Sequence, residues 1–387
     1  MLHYGNLASL TGLLKELCFF IYYHILFKLS IGIFKKNKNC AKMLVLTPIL
    51  KEGCDKMEVG KVPVEILKRS VFPYLGVKRK EVLVHSQLGE DSSIIDFGEY
   101  VAVLSTDPIT AAEKLSGFLS VIISCNDLAS CGAKPIGILS TILLPEGSDE
   151  SVLHNLMEEI DKAAKKLNIE VLGGHTEITT TVNKPIISTT AIGMAKKGEY
   201  ITTKGAKIGD DVIVTKALGL EGTAILATDY EDLLLKRYDK DFILKAQSFI
   251  NEISVIEEGL TATQNGANAM HDITEGGILG AAYEIAEASG LGIEIYEEKL
   301  PIRPETKEIC RFFGINPLKL ISSGSMIITA SDGDKIVKSL SEKGIQATII
   351  GKIIKEGKYL ITSKGKEEIT PPERDEIYLV NKDRITT

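Results

Sequence analysis

Residues 121–135 read VIISCNDLASCGAKP. Leu115, Phe118, Ile122, Cys125 and Ala129 recur at three- and four-residue intervals, the spacing of one helix face. Thr110 and Glu113 stand three apart, as in a capping box, so the helix is expected to start near Thr110. Gly132 and Pro135 end it. Asp127 lies toward the end of this helix, and its neighbours Ile123, Ser124, Ala129, Ser130 and Cys131 are small or apolar. A carboxylate there is costly unless it is paired or bound to a metal. The pairing alternative is an ion pair with Lys114 or Lys134.

Working outward, strands and helices alternate. Before the helix, residues 101–105 (VAVLS) read as a strand ending at Thr106-Asp107-Pro108. After it come a strand at 136–144, an amphipathic helix at 150–167, and a strand at 169–172 that runs into Gly173-Gly174. Another strand follows at 185–194. The polar, glycine-bearing stretch 198–209 marks a domain boundary. A fresh pattern begins with the strand 211–215 and a helix after 219–222. It continues with a long helix over 242–263, a strand at 267–270, a helix over 275–289 and a strand at 292–296. A helix over 304–313 and a strand–helix–strand tail at 325–330, 332–343 and 345–350 complete it. No repeat of solenoid period is present.

Composition narrows the function classes. Of 387 residues, 44% are hydrophobic and 25% charged, ordinary globular usage that excludes a mainly disordered or collagen-like chain. Trp is absent and aromatics are 6%, so stacking platforms for bases are scarce. Net charge is −7, unevenly spread: residues 1–56 hold 8 Lys/Arg against 3 Asp/Glu, leaving the body at −12. An acidic body argues against nucleic acid as a partner, although it can hold nucleotide phosphates through a metal ion. The six Cys form no CxxC pair, which fits a reduced, cytoplasmic setting better than a zinc site or disulfide frame.

Residues 17–34 (LCFFIYYHILFKLSIGIF) are apolar, interrupted by His24 and Lys28 and followed by a run of Lys. Three readings stand: a start upstream of the true one, with Met43 and Met57 available; a membrane anchor; or an amphipathic partner helix. A membrane partner follows only if residues 1–56 are genuine.

Four short motifs sit at element ends: GEDSS (89–93), STDP (105–108), NDLA (126–129) and GGHTE (173–177). Each alone reads equally as a turn or cap. Together, Asp91, Asp107 and Asp127 supply the hard oxygen ligands that Mg2+ prefers. Gly173-Gly174 lets backbone N–H groups approach an anion. No GxxxxGK[ST] loop and no strand–GxGxxG–helix unit exists. In the second half HDITEGG (271–277) opens a helix, whose free N–H groups at Glu275–Gly277 suit a phosphate or carboxylate; Asp272 or Thr274 as a plain N-cap is the alternative. Cys125 and Cys131 read as core filler, Cys131 being the better candidate for a reactive thiol. The run 158–166 reads as a solvated helix face.

These motifs, with GDDVIVTKALGLEGTAIL (209–226), resemble in order and spacing the PurM-like, AIR synthase-related ATP-binding superfamily, and above all the hydrogenase maturation factor HypE. The resemblance spans about residues 62–364. It implies a PurM-like two-domain fold, α/β and α+β: an N-terminal AIR synthase-like domain at 57–200 that pairs in a homodimer, and a C-terminal one at 205–365. The extension 1–56 and a tail 366–387 flank them. It implies ATP and Mg2+ as cofactors, with metal on Asp91, Asp107 and Asp127. Nucleotide is expected on Asn126, Gly173, Gly174, His175, Thr176, Glu177, Gly276 and Gly277, with Asp127, Asp272 and Glu275 catalytic. The implied chemistry activates an oxygen of a small-molecule or protein-borne, carbamoyl-type acceptor by phosphoryl transfer, with a maturation protein as partner. A thiamine-monophosphate kinase-like enzyme and a non-catalytic nucleotide-binding scaffold are the alternatives. Three positions depart from the pattern. No Cys follows Cys310, where HypE carries a C-terminal Cys, Glu90 stands where relatives commonly have Asp, and His175 stands where HypE commonly has Asp.

Overall fold

The computed structural model describes residues 59–110, 112, 114–371 and 374–380. A short helix α1 (Val64–Ser70) leads into the first sheet. Its strands are β1 (Val82–Val84), β2 (Ser93–Asp96), β3 (Tyr100–Ile109), β4 (Lys134–Pro145), β5 (Glu170–Thr179) and β6 (Ile186–Lys196), in the order β1-β2-β3-β6-β4-β5. Only β4 and β5 run parallel, joined by a helical crossover. Helices α2 (Ser116–Ser130) and α3 (Glu150–Leu167) cover one face. Val101, Val103, Leu119, Ile122, Leu128, Ile138 and Ile187 form the core between them. Alternation along each strand sends the other residues to the opposite face, where Tyr100, Ile136, Leu139 and Met194 lie exposed.

Two expectations for this half change. The strand does not end at Pro108 but runs to Ile109, because its ladder with β6 continues to that residue. β2 pairs only as far as Leu104, so β3 then carries a free edge, where proline is tolerated. The helix therefore cannot begin near Thr110. It begins at Ser116, after Leu115 turns the chain in a left-handed conformation (φ 60°).

The second sheet contains β7 (Asp211–Thr215), β8 (Ala267–Asp272), β9 (Gly292–Tyr296), β10 (Met326–Ala330), β11 (Ala347–Ile354), β12 (Lys358–Thr362) and β13 (Gly365–Glu368). Their order is β13-β12-β9-β11-β7-β10-β8. Val212 and Val214 of β7 pack into one apolar cluster with Ile278, Ile285 and Ile327. Ile213 packs into another with Met270, Ile328 and Leu340. Both faces of β7 are thus buried, which explains its unbroken apolar run. The helices are α4 (Leu220–Asp229), α5 (Glu231–Leu234), α6 (Lys240–Ser248), α7 (Ile256–Asn265), α8 (Gly277–Ser289), α9 (Pro304–Phe313) and α10 (Gly333–Glu342).

The single helix expected over 242–263 is broken. α6 stops at Ser248, a tighter turn covers Phe249–Glu252, and α7 starts at Ile256. The cause is sideways hydrogen bonding of the backbone between them. Lys216 Nζ donates to the carbonyls of Glu252 (2.7 Å) and Ser254 (2.6 Å). Asn126 Nδ2 donates to that of Ile253 (2.8 Å), and Val255 N donates to Asn126 Oδ1 (2.9 Å). Groups used this way are lost to a helical ladder.

Among the described residues no helix is long and apolar enough to cross a membrane. The apolar run 17–34 and the rest of the extension 1–56 lie outside the described residues.

Candidate functional site

Asp127 projects from α2 toward β3. Ser105 Oγ donates to its Oδ2, so Ser105, not Lys114 or Lys134, is its hydrogen-bond partner. Asp107 lies two residues beyond Ser105 and so on the same strand face. Asp91, just before β2, and Asp272, at the end of β8, bring two more carboxylates from both halves of the molecule. Burial, then Asp107, Asp272 and Asp91, push the Asp127 carboxyl well above the usual range. Asp91 is pushed up to about 6, by burial first, with the opposing attraction of His271 too weak to cancel it. Asp91 Oδ2, Asp107 Oδ2 and both oxygens of Asp272 are buried without a hydrogen-bond partner. Buried acceptors are almost always satisfied. Converging carboxylates with unused lone pairs are the donor set of a hard cation such as Mg2+, so these residues fit that ion.

A second layer supports Asp272. His271 Nε2 donates to Glu284 Oε2 at 2.9 Å, while its Nδ1 lies 3.2 Å from Asp91 Oδ1 and 3.7 Å from Asp272 Oδ1. Burial opposes the charged imidazole, but Asp91, Asp272 and Glu284 outweigh it and hold His271 well above its ordinary value. Lys61 Nζ lies 3.7 Å from Glu284 and 3.5 Å from Thr274 Oγ1. Burial alone would raise Glu284, yet Lys61 and His271 hold it down to about 2. Sequence reasoning missed Ser105, Lys61, Glu284 and His271 as site residues. His271 at least stands next to Asp272 in HDITEGG; Lys61 is 213 residues from Thr274, and nothing local marks it.

The glycine-rich stretch Gly173–Glu177 is not in this cluster. It lies on β5, the free edge of the first sheet, and all five residues are exposed. Gly174 pairs with Ser140, Ser140 with Thr189, and Thr189 with Asp107, one row across the sheet. Three strand spacings make the span from Gly174 to Asp107 roughly 14 Å. Gly174 has φ 150°, and a Cβ there would meet Ser140 O at 1.9 Å, so only glycine fits. His175 and Glu177 pair with each other at 3.3 Å on the open face.

The remaining candidates fall elsewhere. Asn126 spends both ends of its amide on Ile253 and Val255, clamping the two halves together. Two of the N–H groups expected to be free at Glu275–Gly277 are engaged. Gly276 N donates to Asp375 Oδ2 at 2.7 Å and Gly277 N to Thr274 O at 3.1 Å. The chain's own carboxylate thus takes the start of α8, a place that favours an anion. Glu275 Oε1 accepts from the Tyr378 hydroxyl at 2.8 Å. Cys125, Cys131 and Cys310 are free and buried. Burial pushes Cys125 and Cys310 up to about 12 and Cys131 well above its ordinary value, so none is a ready nucleophile.

This two-sheet frame is that of AIR synthase relatives. The model for AIR synthase related protein, N-terminal domain, matches residues 89–195, and that for the C-terminal domain matches 207–364. The chain belongs to the AIR synthase-related, PurM-like family. It is similar to a putative hydrogenase expression/formation protein of Methanocaldococcus jannaschii, 31% identical over 334 residues, which are 82% of this chain and 96% of that protein. It is 27% identical to the carbamoyl dehydratase HypE of Cupriavidus necator over 256 residues, 65% of this chain and 71% of that one. The crystal structure of a HypE–HypF complex matches with TM-score 0.65 and 25% identity, covering 79% of this chain and 99% of that one. A HypE structure in complex with ATP matches with TM-score 0.62 and 18% identity, covering 83% and 98%.

Proposed function

We propose that the chain is a HypE-like, ATP- and Mg2+-dependent enzyme that activates an acceptor oxygen by phosphoryl transfer. The observation that carries this is the convergence of Asp91, Asp107, Asp127 and Asp272, with buried, unpartnered oxygens on Asp91, Asp107 and Asp272. Phosphates cannot approach four carboxylates without cations between them, so the metal is obligatory. When bound, ATP supplies the activated phosphoryl group and Mg2+ the charge that neutralises it. Asp91, Asp107 and Asp127 would hold the metal, with Ser105 orienting Asp127 through its hydrogen bond. Gly173, Gly174, Thr176 and their neighbours His175 and Glu177 would line the nucleotide at the sheet edge, Gly174 in the same strand row as Asp107. Asp272 and Glu275 would shape the acceptor side, opposite the clamp made by Asn126.

The acceptor is a small molecule or a protein-borne carbamoyl-type group. A maturation protein as partner is supported by the HypE–HypF complex. A homodimer through the first sheet is supported by its open face, with Tyr100, Ile136, Leu139 and Met194 exposed. The free, buried thiols support a cytoplasmic setting.

The test is ATP turnover by the full chain with Mg2+ and candidate acceptors. Asp127→Asn should lower ADP release more than about 100-fold while circular dichroism stays unchanged. A folded D127N protein as active as the native chain would overturn the assignment.

A further inference from the structure

We infer that His271 is itself a metal ligand, and that Asp91, His271 and Asp272 form a site for a first-row transition divalent cation in preference to Mg2+. The inference rests on reading the acidic cluster as metal-binding and names the class of metal one part of it takes.

Three observations converge. The donor atoms are spaced as ligands. Nδ1 lies 3.2 Å from Asp91 Oδ1 and 3.7 Å from Asp272 Oδ1, and one atom from each of the three residues falls within 4.8 Å of the others. An ion with bonds of about 2.0–2.2 Å holds neighbouring ligand atoms roughly 3.0–3.6 Å apart. The same atoms are unused: Nδ1, Asp91 Oδ2 and both Asp272 oxygens make no hydrogen bond, although His271 is 3% exposed and Asp272 1%. The far side of the imidazole is fixed. Nε2 faces Glu284, so when a metal displaces one proton of the imidazolium the other stays on Nε2 and the Nδ1 lone pair faces the two aspartates. A carboxylate behind the ring is the usual support of a ligating histidine, and Lys61 anchors that carboxylate in turn.

The donor set then decides the metal. Mg2+ takes oxygen ligands and keeps its waters, and an imidazole nitrogen is a poor exchange for either. Imidazole with carboxylates suits Mn2+, Fe2+, Ni2+ or Zn2+. Asp91 then bridges, its second oxygen remaining with Asp107 and Asp127 as an all-oxygen set for the Mg2+ that accompanies phosphate. The competing account is that protonated His271 is a counter-ion standing where a metal would be, with no bond to one.

Mn2+ is the probe. Full-length, nucleotide-free protein is stripped with chelator and titrated with Mn2+ against a hundredfold excess of Mg2+. Binding is followed by electron paramagnetic resonance, with nitrogen coupling read from spin-echo modulation. One retained Mn2+ with imidazole nitrogen coupling is expected. His271→Gln should abolish the coupling and weaken Mn2+ binding 10- to 100-fold. Glu284→Gln should keep the coupling and weaken binding about tenfold, and it carries the test if H271Q does not fold. Mn2+ bound without nitrogen coupling, displacement by Mg2+, or an H271Q protein that binds as tightly as the native chain would each overturn the inference. Asp127→Asn should keep the nitrogen-coupled Mn2+ even where ADP release is lost. A nitrogen-coupled site in a native chain that turns over no ATP would leave this inference standing and remove the phosphoryl-transfer proposal.

Discussion

Glu221, the second residue of α4, is 2% exposed and its Oε2 has no partner. Burial pushes it up to about 7, with Asp375 and Glu275 adding to the effect and Ser323 opposing it. Since the folded value lies above the ordinary 4.5 of the unfolded chain, folding favours the protonated form. That contribution is full below pH 4.5 and is lost as pH rises through 7. Glu221→Gln should therefore be more stable than the native chain at pH 8, by up to about 3 kcal/mol. The gap should close toward pH 4.5. Urea denaturation at both pH values checks it, and a gap independent of pH would exclude the argument. At this scale the sequence was partly legible. Asp91 and Asp107 stand in motifs that read as turns, where oxygen ligands are recognisable, and Asp127 was conspicuous on an apolar helix. Lys61 and Glu284 were not, because their significance comes from tertiary placement and not from their neighbours in the chain. Asn126 was expected at the nucleotide, but a polar residue beside a candidate ligand looks the same in sequence whether it faces substrate or an opposing backbone.

Among the elements, β5 depends most sharply on one residue. Gly174→Ala would set a methyl group against the Ser140 carbonyl and require an alanine at φ 150°. The β4–β5 pairing must then open, at a cost of about 2–4 kcal/mol. Thermal denaturation of G174A should show the loss, together with weaker nucleotide binding at the sheet edge. A variant as stable as the native chain would mean that β5 can shift without penalty. Strand and helix identities were largely readable from periodicity, and DVIVT proved a strand buried on both faces. Boundaries were harder. Thr110 and Glu113 have the spacing of a capping box, but the β3–β6 ladder claims the chain up to Ile109. The break near 249–255 contains neither Gly nor Pro, since its cause lies in Lys216 and Asn126, far away along the chain.

For the molecule as a whole, the open face of the first sheet predicts self-association. Leu139→Arg places a charge on this open face and should shift the protein from dimer to monomer in sedimentation velocity, with its circular dichroism retained. A native chain that sediments as a monomer would remove the dimer. The two-domain plan was legible from six short motifs in order. The seam between the domains was not, and the seam has a consequence for how the protein comes into being. Asn126 and Asp127 are consecutive residues, one fastened to Ile253 and Val255, the other facing the acidic cluster. The fastening spans 127 and 129 positions of sequence, a long loop to close before any contact rewards it. During synthesis the first half must leave the ribosome and wait, its polar seam uncovered, until residues near 255 arrive. Asp272 emerges later still, so the four-carboxylate cluster cannot assemble while the first half waits.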